Sequence, residues 1–261
     1  MKAGIGSTLK LFTAMVILAA WPAVAQEAGV TSSISEADIA MYRTGINPAD
    51  ADVDSGMAFF IKERGEKKTS CATCHGGTSP KHGSLKGAAA AFPKWSAKAK
   101  RVVSLEDQIN LCLEQGVGAE KLEQKSGAMT GISLYVRSLS KGAKVNVKTS
   151  GDAMETFELG KRVFEVRRGQ RNLACATCHI DLVGTTLRMQ PLAKLNGAAA
   201  HWPAYRMVNG ETTQIQRRFQ QCMSNARLAP FPMGDYRMVA LELYVTSLAN
   251  GQPVETPGWV R

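Results

Sequence analysis

The sequence predicts a mainly α-helical protein built from one unit used twice, and three observations carry that expectation. A cysteine motif, Cys71-Ala72-Thr73-Cys74-His75, returns letter for letter as Cys175-Ala176-Thr177-Cys178-His179. The residues before it return as well: Gly56, Phe60, Arg64 and Gly65 recur as Gly160, Phe164, Arg168 and Gly169, all at an offset of 104. The apolar residues near each unit's end keep helical spacing, as in Leu134-Tyr135-Val136 with Leu139 and its copy Leu243-Tyr244-Val245 with Leu248. With 44% of its 261 residues hydrophobic, the chain can bury one or two cores, which excludes disorder as its main state.

In chain order, residues 1–25 read as a cleaved signal peptide. Lys2 and Lys10 precede the apolar run Leu11 to Ala20, and Ala23-Val24-Ala25 supplies small residues for cleavage before Gln26. That run is too short to span a bilayer, so an exported protein without a membrane span is expected, periplasmic in location. Removing the two lysines takes the formal charge from +10 to +8. The first unit then covers residues 26–149 and the second 150–261. Each begins with an amphipathic helix in which a glycine and an aromatic four residues later share a face, and this helix is expected to run into the cysteine motif. After the second motif the offset grows to 110, which implies a six-residue insertion between His179 and Asn196. Gly87-Ala88-Ala89-Ala90 with Phe92-Pro93 and Trp95 then matches Gly197-Ala198-Ala199-Ala200 with Trp202-Pro203 and Tyr205, the aromatics being expected as pocket core. A middle helix and a closing helix follow in each unit. Lys141 to Asp152, polar and glycine-flanked, reads as the linker.

Both motifs are C-x-x-C-H, the attachment pattern for c-type haem. Two thiols three positions apart can add across the two vinyl groups of one porphyrin, and the adjoining histidine can ligate the iron. Covalent attachment of two haem c groups is therefore expected, through Cys71 and Cys74 with His75 as axial ligand, and through Cys175 and Cys178 with His179. The competing reading is a pair of redox-active or zinc-binding C-x-x-C motifs. Each unit has the pattern of a cytochrome c-like domain, and together they read as two tandem domains related by internal duplication.

Cys112 and Cys222 remain, at the same repeat position and separated by 110. Each follows a helical pattern, and a sixth ligand to haem iron would explain its recurrence. Met129 and Met233, both 54 residues after their histidines, compete for that role. At the offset of 109, however, Met129 matches Met238 and Met233 has no methionine counterpart. A Cys112–Cys222 disulfide, or two buried free thiols, would also account for the pair. The surroundings of the two cysteines differ in sign. Glu106 to Val117 holds Glu106, Asp107 and Glu114 with no basic residue, whereas Gln216 to Arg227 holds Arg217, Arg218 and Arg227 with no acidic one. Arg218 lies one helical turn before Cys222, where a guanidinium favours thiolate and can fork two hydrogen bonds onto an anion. Cys222 is thus the candidate for chemistry, with haem carboxylates or solvent as the competing partners of the arginines.

Two CATCH motifs, a cysteine on each middle helix and Arg218 four residues before Cys222 together resemble SoxA, the dihaem subunit of the SoxAX cytochrome in bacterial thiosulfate oxidation. The likeness covers essentially the whole chain after residue 25. The resemblance implies an L-cysteine S-thiosulfotransferase that joins thiosulfate to a cysteine of the carrier SoxYZ, with electrons leaving through haem on SoxX, its heterodimer partner. It implies that Cys222 is the active-site cysteine, carried as a persulfide and ligating the second haem, that Arg218 binds substrate, and that Cys112 ligates the first haem. His201 and Lys194 are weaker candidates for the second site. A dihaem electron carrier without bond-making chemistry is the alternative function, and a dihaem peroxidase is a third. Export and the lack of any recognition motif argue against nucleic-acid binding despite the positive charge, which suits small anions or an acidic carrier.

Overall fold

The computed structural model describes residues 1, 44–76, 80–187 and 190–260. The signal-peptide assignment lies outside the described residues. Helices α1 (Asp50–Ile61) and α2 (Cys71–His75) come first. Asp50 and Asp52 in the first turn of α1 suit its positive end. The chain then leaves the helix at Lys62, so residues 62–70 intervene before the cysteine motif; the helix does not run into it as the periodicity suggested. The reason is a turn centred on Gly65, at φ 70°, which pairs Arg64 with Thr69. Ser70 caps α2 in a reciprocal capping box with Thr73.

A short 3-10 turn at Ala88–Ala91 leads to the antiparallel pair β1 (Lys94–Ser96) and β2 (Arg101–Val103). Helix α3 (Leu105–Leu111), capped by Ser104, passes into a π-helical turn at Cys112–Val117. Helix α4 (Gly127–Ser138), capped by Ser126, closes the first half.

The second half repeats this order. Helix α5 (Met154–Glu165) precedes the second motif, which continues as a π-helical turn at Thr177–Asp181. In the stretch that carries the insertion, β3 (Thr186–Leu187) and β4 (Gln190–Pro191) pair antiparallel. After a 3-10 turn at Ala198–His201 come β5 (Ala204–Arg206) and β6 (Glu211–Thr213), then helices α6 (Ile215–Asn225) and α7 (Tyr236–Ser247). The terminal strand β7 (Gly258–Val260) joins β5 in parallel, an addition with no counterpart beside β1.

Each half is organised by one helix crossing. A methyl group on Gly56 would strike the carbonyl oxygen of Gly131, and one on Gly160 the carbonyl oxygen of Ala240. Only glycine lets α1 approach α4, and α5 approach α7, this closely. One turn along, Phe60 stacks on Tyr135 and Phe164 on Tyr244, each with ring centroids 5.2 Å apart. These pairs anchor two apolar cores, one around Phe60, Leu113 and Met129 and the other around Phe164, Met223 and Met238.

The segment expected as a linker is instead woven into the second half. Gly142 and Val145 donate backbone hydrogen bonds to Val254 and Gln252, and Asn250 brackets Val147 with bonds to its N–H and C=O. Val145 and Val147 are 1% and 2% exposed and belong to the second core. The alternation of these two valines is a strand signal that polar neighbours mask, and its pairing partner lies over a hundred residues away. Leu134 and Tyr205 share a further cluster across the seam, and the described residues from Thr44 onward form one compact unit.

The seam also buries charge. Glu106 on α3, Arg137 on α4 and Glu242 on α7 line one small cavity, and Gln216 on α6 donates to Glu242 at 2.7 Å. Burial, reinforced by the neighbouring Glu106, pushes the Glu242 carboxyl up to about 8. Burial raises Glu106 also and lowers Arg137. The folded chain thus keeps a proton on Glu242 that the unfolded chain loses above its ordinary 4.5. This contribution is complete below the unfolded value and is lost as pH rises toward 8, at about 1.4 kcal/mol per pH unit for one proton. Urea midpoints of the parent and Glu242→Gln between pH 5 and 8 should therefore converge as pH falls and separate as it rises, the parent losing more. Gly160→Ala should destabilise by about 1–3 kcal/mol because backbone cannot yield to the new methyl, while Gly116→Ala, with open space at its Cβ, should not destabilise.

Candidate active site

The first motif is held between two turns. Cys71 and Cys74 sit on one face of the Ser70-capped helix α2. His75 donates from Nδ1 to the Gly83 carbonyl at 3.0 Å, which orients the ring and leaves Nε2 free to bind iron. Cys112, the first residue of the π-helical turn, faces this histidine closely enough to share a hydrogen bond with it, and Gln108 donates to its sulfur at 3.4 Å. The His75 hydrogen bond is the main cause that lowers the Cys112 thiol, against the opposing effect of burial. The same bond raises His75.

The second motif repeats the arrangement with different charge. His179 donates from Nδ1 to the Ala193 carbonyl at 3.2 Å. Burial lowers its ring, and the positive charge of Arg218 adds to that effect, which brings Arg218 to the histidine. Burial pushes the Cys175 thiol up to about 11 and raises Cys178, with Cys222 contributing to both shifts. Cys222 on α6 therefore stands with the two motif cysteines, as Cys112 does with Cys71 in the first half. All six cysteines are half-buried and free, so no disulfide joins Cys112 to Cys222. Met129 is fully buried in the first core, and Met233 lines a seam cavity with Glu106 and Gln216.

The charge asymmetry resolves into fewer residues than the sequence suggested. Asp107 is tied to Arg101 at 2.8 Å, Glu114 to Lys121 at 3.2 Å, and Glu106 belongs to the seam; the charged groups that act on Cys112 are His75 first and then Lys98. Of the three arginines around Cys222, Arg217 is exposed and reaches Gln220, and Arg227 is exposed, whereas Arg218 acts on His179. At the repeat offset of 110, Arg218 occupies the position of Gln108, the residue that donates to Cys112. His201 pairs with Glu255 at 3.0 Å, and Lys194 is exposed.

Sequence reading missed three arginines. Arg206, on β5, is 5% exposed and donates to the side chain of Gln221 at 2.7 Å. Burial first, then Arg218 beside it, brings its guanidinium down to about 10. A lone basic residue in a two-stranded hairpin carries no motif, so no local signal marked it. Arg64 and Arg168, visible only as repeat positions, stack on Phe59 and Phe231 and act on Cys71 and Cys175. Each keeps at least one buried guanidinium nitrogen with no hydrogen-bond partner among the described residues, a demand for acceptors from outside this polypeptide. The donor sets fit haem c at both motifs: paired thiols, an imidazole that donates through Nδ1, and a further cysteine near the motif.

A family model described as the SoxA/TsdA cytochrome c domain matches residues 55–145 and 159–254. An L-cysteine S-thiosulfotransferase subunit SoxA from Hydrogenobacter thermophilus is 31% identical, over 92% of this chain and 92% of the relative. The subunit of the same description from Paracoccus pantotrophus is 34% identical, over 80% of this chain and 70% of its own. The crystal structure of SoxXA from P. pantotrophus superimposes with a TM-score of 0.77 at 32% identity, covering 87% of this chain and 84% of that one. This chain is mainly helical and holds a cytochrome c-type domain, and such a domain binds haem c covalently.

Proposed function

Since the chain belongs to the SoxA/TsdA cytochrome c family, we propose that it is the SoxA-like subunit of an exported L-cysteine S-thiosulfotransferase that acts in sulfur oxidation. It carries two haem c groups on tandem cytochrome c-like domains, 26–149 and 150–261, that derive from one duplicated unit. Its partners are a SoxX-like small cytochrome and a SoxYZ-like carrier, the first supported by the likeness to a SoxXA complex. The observation that carries the reading is the convergence of Cys222, Arg218 and His179 with both motif cysteines of the second half. No helix among the described residues is long and apolar enough to cross a membrane.

The overall step is R–SH + S2O3²⁻ → R–S–S–SO3⁻ + H⁺ + 2e⁻, where R–SH is the carrier cysteine. One S–S bond forms, the sulfur pair is oxidised, and charge balances at −2 on each side. Haem c, when bound, would supply a one-electron acceptor for each of the two electrons. A persulfide on Cys222 would join thiosulfate with loss of two electrons, Cys222–S–S⁻ + S2O3²⁻ → Cys222–S–S–S–SO3⁻ + 2e⁻, and the carrier thiol would then displace it, R–SH + Cys222–S–S–S–SO3⁻ → R–S–S–SO3⁻ + Cys222–S–S⁻ + H⁺. Cys175, Cys178, His179 and Cys222 would hold the second haem. Arg218 forks onto the sulfonate oxygens and offsets their charge as the anion leaves water. The Ala193 carbonyl holds the proton on His179 Nδ1, so that Nε2 remains a ligand. Cys71, Cys74, His75 and Cys112 would hold the first haem.

Intact mass and peptide mapping of the exported protein, prepared without thiol reductant, should find two covalent haems and one extra sulfur on Cys222; two haems with a plain Cys222 would favour an electron carrier. Cys222→Ala should abolish conjugation and alter the second haem's absorption. Arg218→Ala should raise the KM for thiosulfate by about tenfold or more, with less spectral change.

A further inference from the structure

The second half holds an arginine near Cys222 that the first half lacks. Arg206 is the last residue of β5, buried to 5% exposure, with β6 on one side and β7 on the other. Its guanidinium donates at 2.7 Å to Gln221, the residue next to Cys222 on α6, so the hairpin is tied to the reactive turn of that helix. Arg218, Cys222 and Glu211 are the charged or titratable groups that act on it. At the offset of 110, Arg206 falls on Ser96 and Gln221 on Leu111, so neither half of this tie exists at Cys112. The hairpin itself does exist there, with the same register, Lys94 to Val103 matching Ala204 to Thr213. The frame is therefore shared and the buried guanidinium is an addition at the second site alone.

Arg206 is buried and held in place by its hydrogen bond to Gln221, and the like charge of the half-buried Arg218 acts on it. A ligand that carries two negative charges relieves this more than a ligand that carries one. We infer that Arg206 is a second anion-binding side chain of the Cys222 site, and that with Arg218 it selects a dianionic thio-oxoanion over a monoanion of the same shape. The inference rests on the proposed thiosulfate reading of that site and deepens it. Arg218, half-buried on α6, engages the entering anion; Arg206, held by Gln221, fixes the second charge.

The test compares thiosulfate with methanethiosulfonate, in which a methyl group replaces one oxygen and removes one charge while the terminal sulfur is kept. Binding of each to the haem-loaded complex, with its haems reduced so that no electron can leave the sulfur, is measured by calorimetry without the carrier protein. The parent should prefer thiosulfate. Arg206→Gln should weaken thiosulfate by about tenfold or more and methanethiosulfonate by less than about threefold, and Arg206→Lys, which keeps the charge, should recover most of the preference. An unchanged second-haem spectrum in each variant identifies a folded site. Equal losses on both anions, no loss on either, or an Arg206→Lys variant as poor as Arg206→Gln would overturn the assignment. A parent complex that binds thiosulfate with this preference yet never conjugates it would refute the proposed function and leave Arg206 standing. Conjugation by the parent with an indifferent Arg206→Gln would refute only the role of Arg206.

Discussion

Backbone meets backbone at Gly56 against Gly131 and at Gly160 against Ala240, and the positions of both C-x-x-C-H motifs follow from those two contacts. Each contact sets how closely the opening helix of its half lies on the closing helix. The aromatic pair one turn along then locks the crossing, and the turn at Gly65 or Gly169 carries the chain from the opening helix into the cysteine motif. Those glycines are close-packed as well, Gly65 against Val117 and Gly169 against Arg227, so the end of the cysteine-bearing helix is pressed onto the approach to the motif. The approach of Cys112 to His75, and of Cys222 to the second motif, thus depends on the helix crossing, to which the His75–Cys112 hydrogen bond adds in the first half.

Two such halves do not pack as separate beads. The extended segment through Val145 and Val147 pairs with the chain after α7, and a carboxylate from each half shares a cavity with Arg137. The cavity involves the helices that bear both distal cysteines, since Glu106 lies six residues before Cys112 and Gln216 six residues before Cys222. Burial makes two ionised carboxylates around one guanidinium costly, and a retained proton on Glu242 brings the cluster to neutrality. The seam is therefore a pH-sensitive part of the fold that joins helices from both halves.

Within this shared frame the two sites diverge by a handful of side chains. Gln108 donates a neutral hydrogen bond to Cys112, where the second half has Arg218; Ser96 stands where the second half has Arg206. A sulfur paired with an imidazole and a neutral amide is suited to holding a ligand position. A sulfur flanked by fixed positive charge is suited to drawing an anion to itself. On the proposed function, chemistry that needs thiosulfate beside sulfur belongs to the second half; the first has Lys98 acting on its sulfur but no arginine at the position of Arg218.

Much of this was legible in the amino-acid sequence. Both C-x-x-C-H motifs, the 104-residue offset and the placement of Cys112 and Cys222 at one repeat position depend on spacing alone, because covalent haem attachment and helix faces are local demands. Arg218 was legible for the same reason, lying one turn from Cys222 on one helix. The tertiary structure decided the rest. It showed the segment 141–152 to be paired rather than linking, because its partner strand is distant in the chain. It sent Glu106 to the seam and tied Asp107 to Arg101, so that the acidic stretch before Cys112 surrounds no sulfur. It brought Arg206 to Cys222 across a hairpin and a helix that sequence spacing cannot relate. Local chemistry is written in neighbouring residues, whereas burial and the partner of a charge are set only when distant segments close on one another.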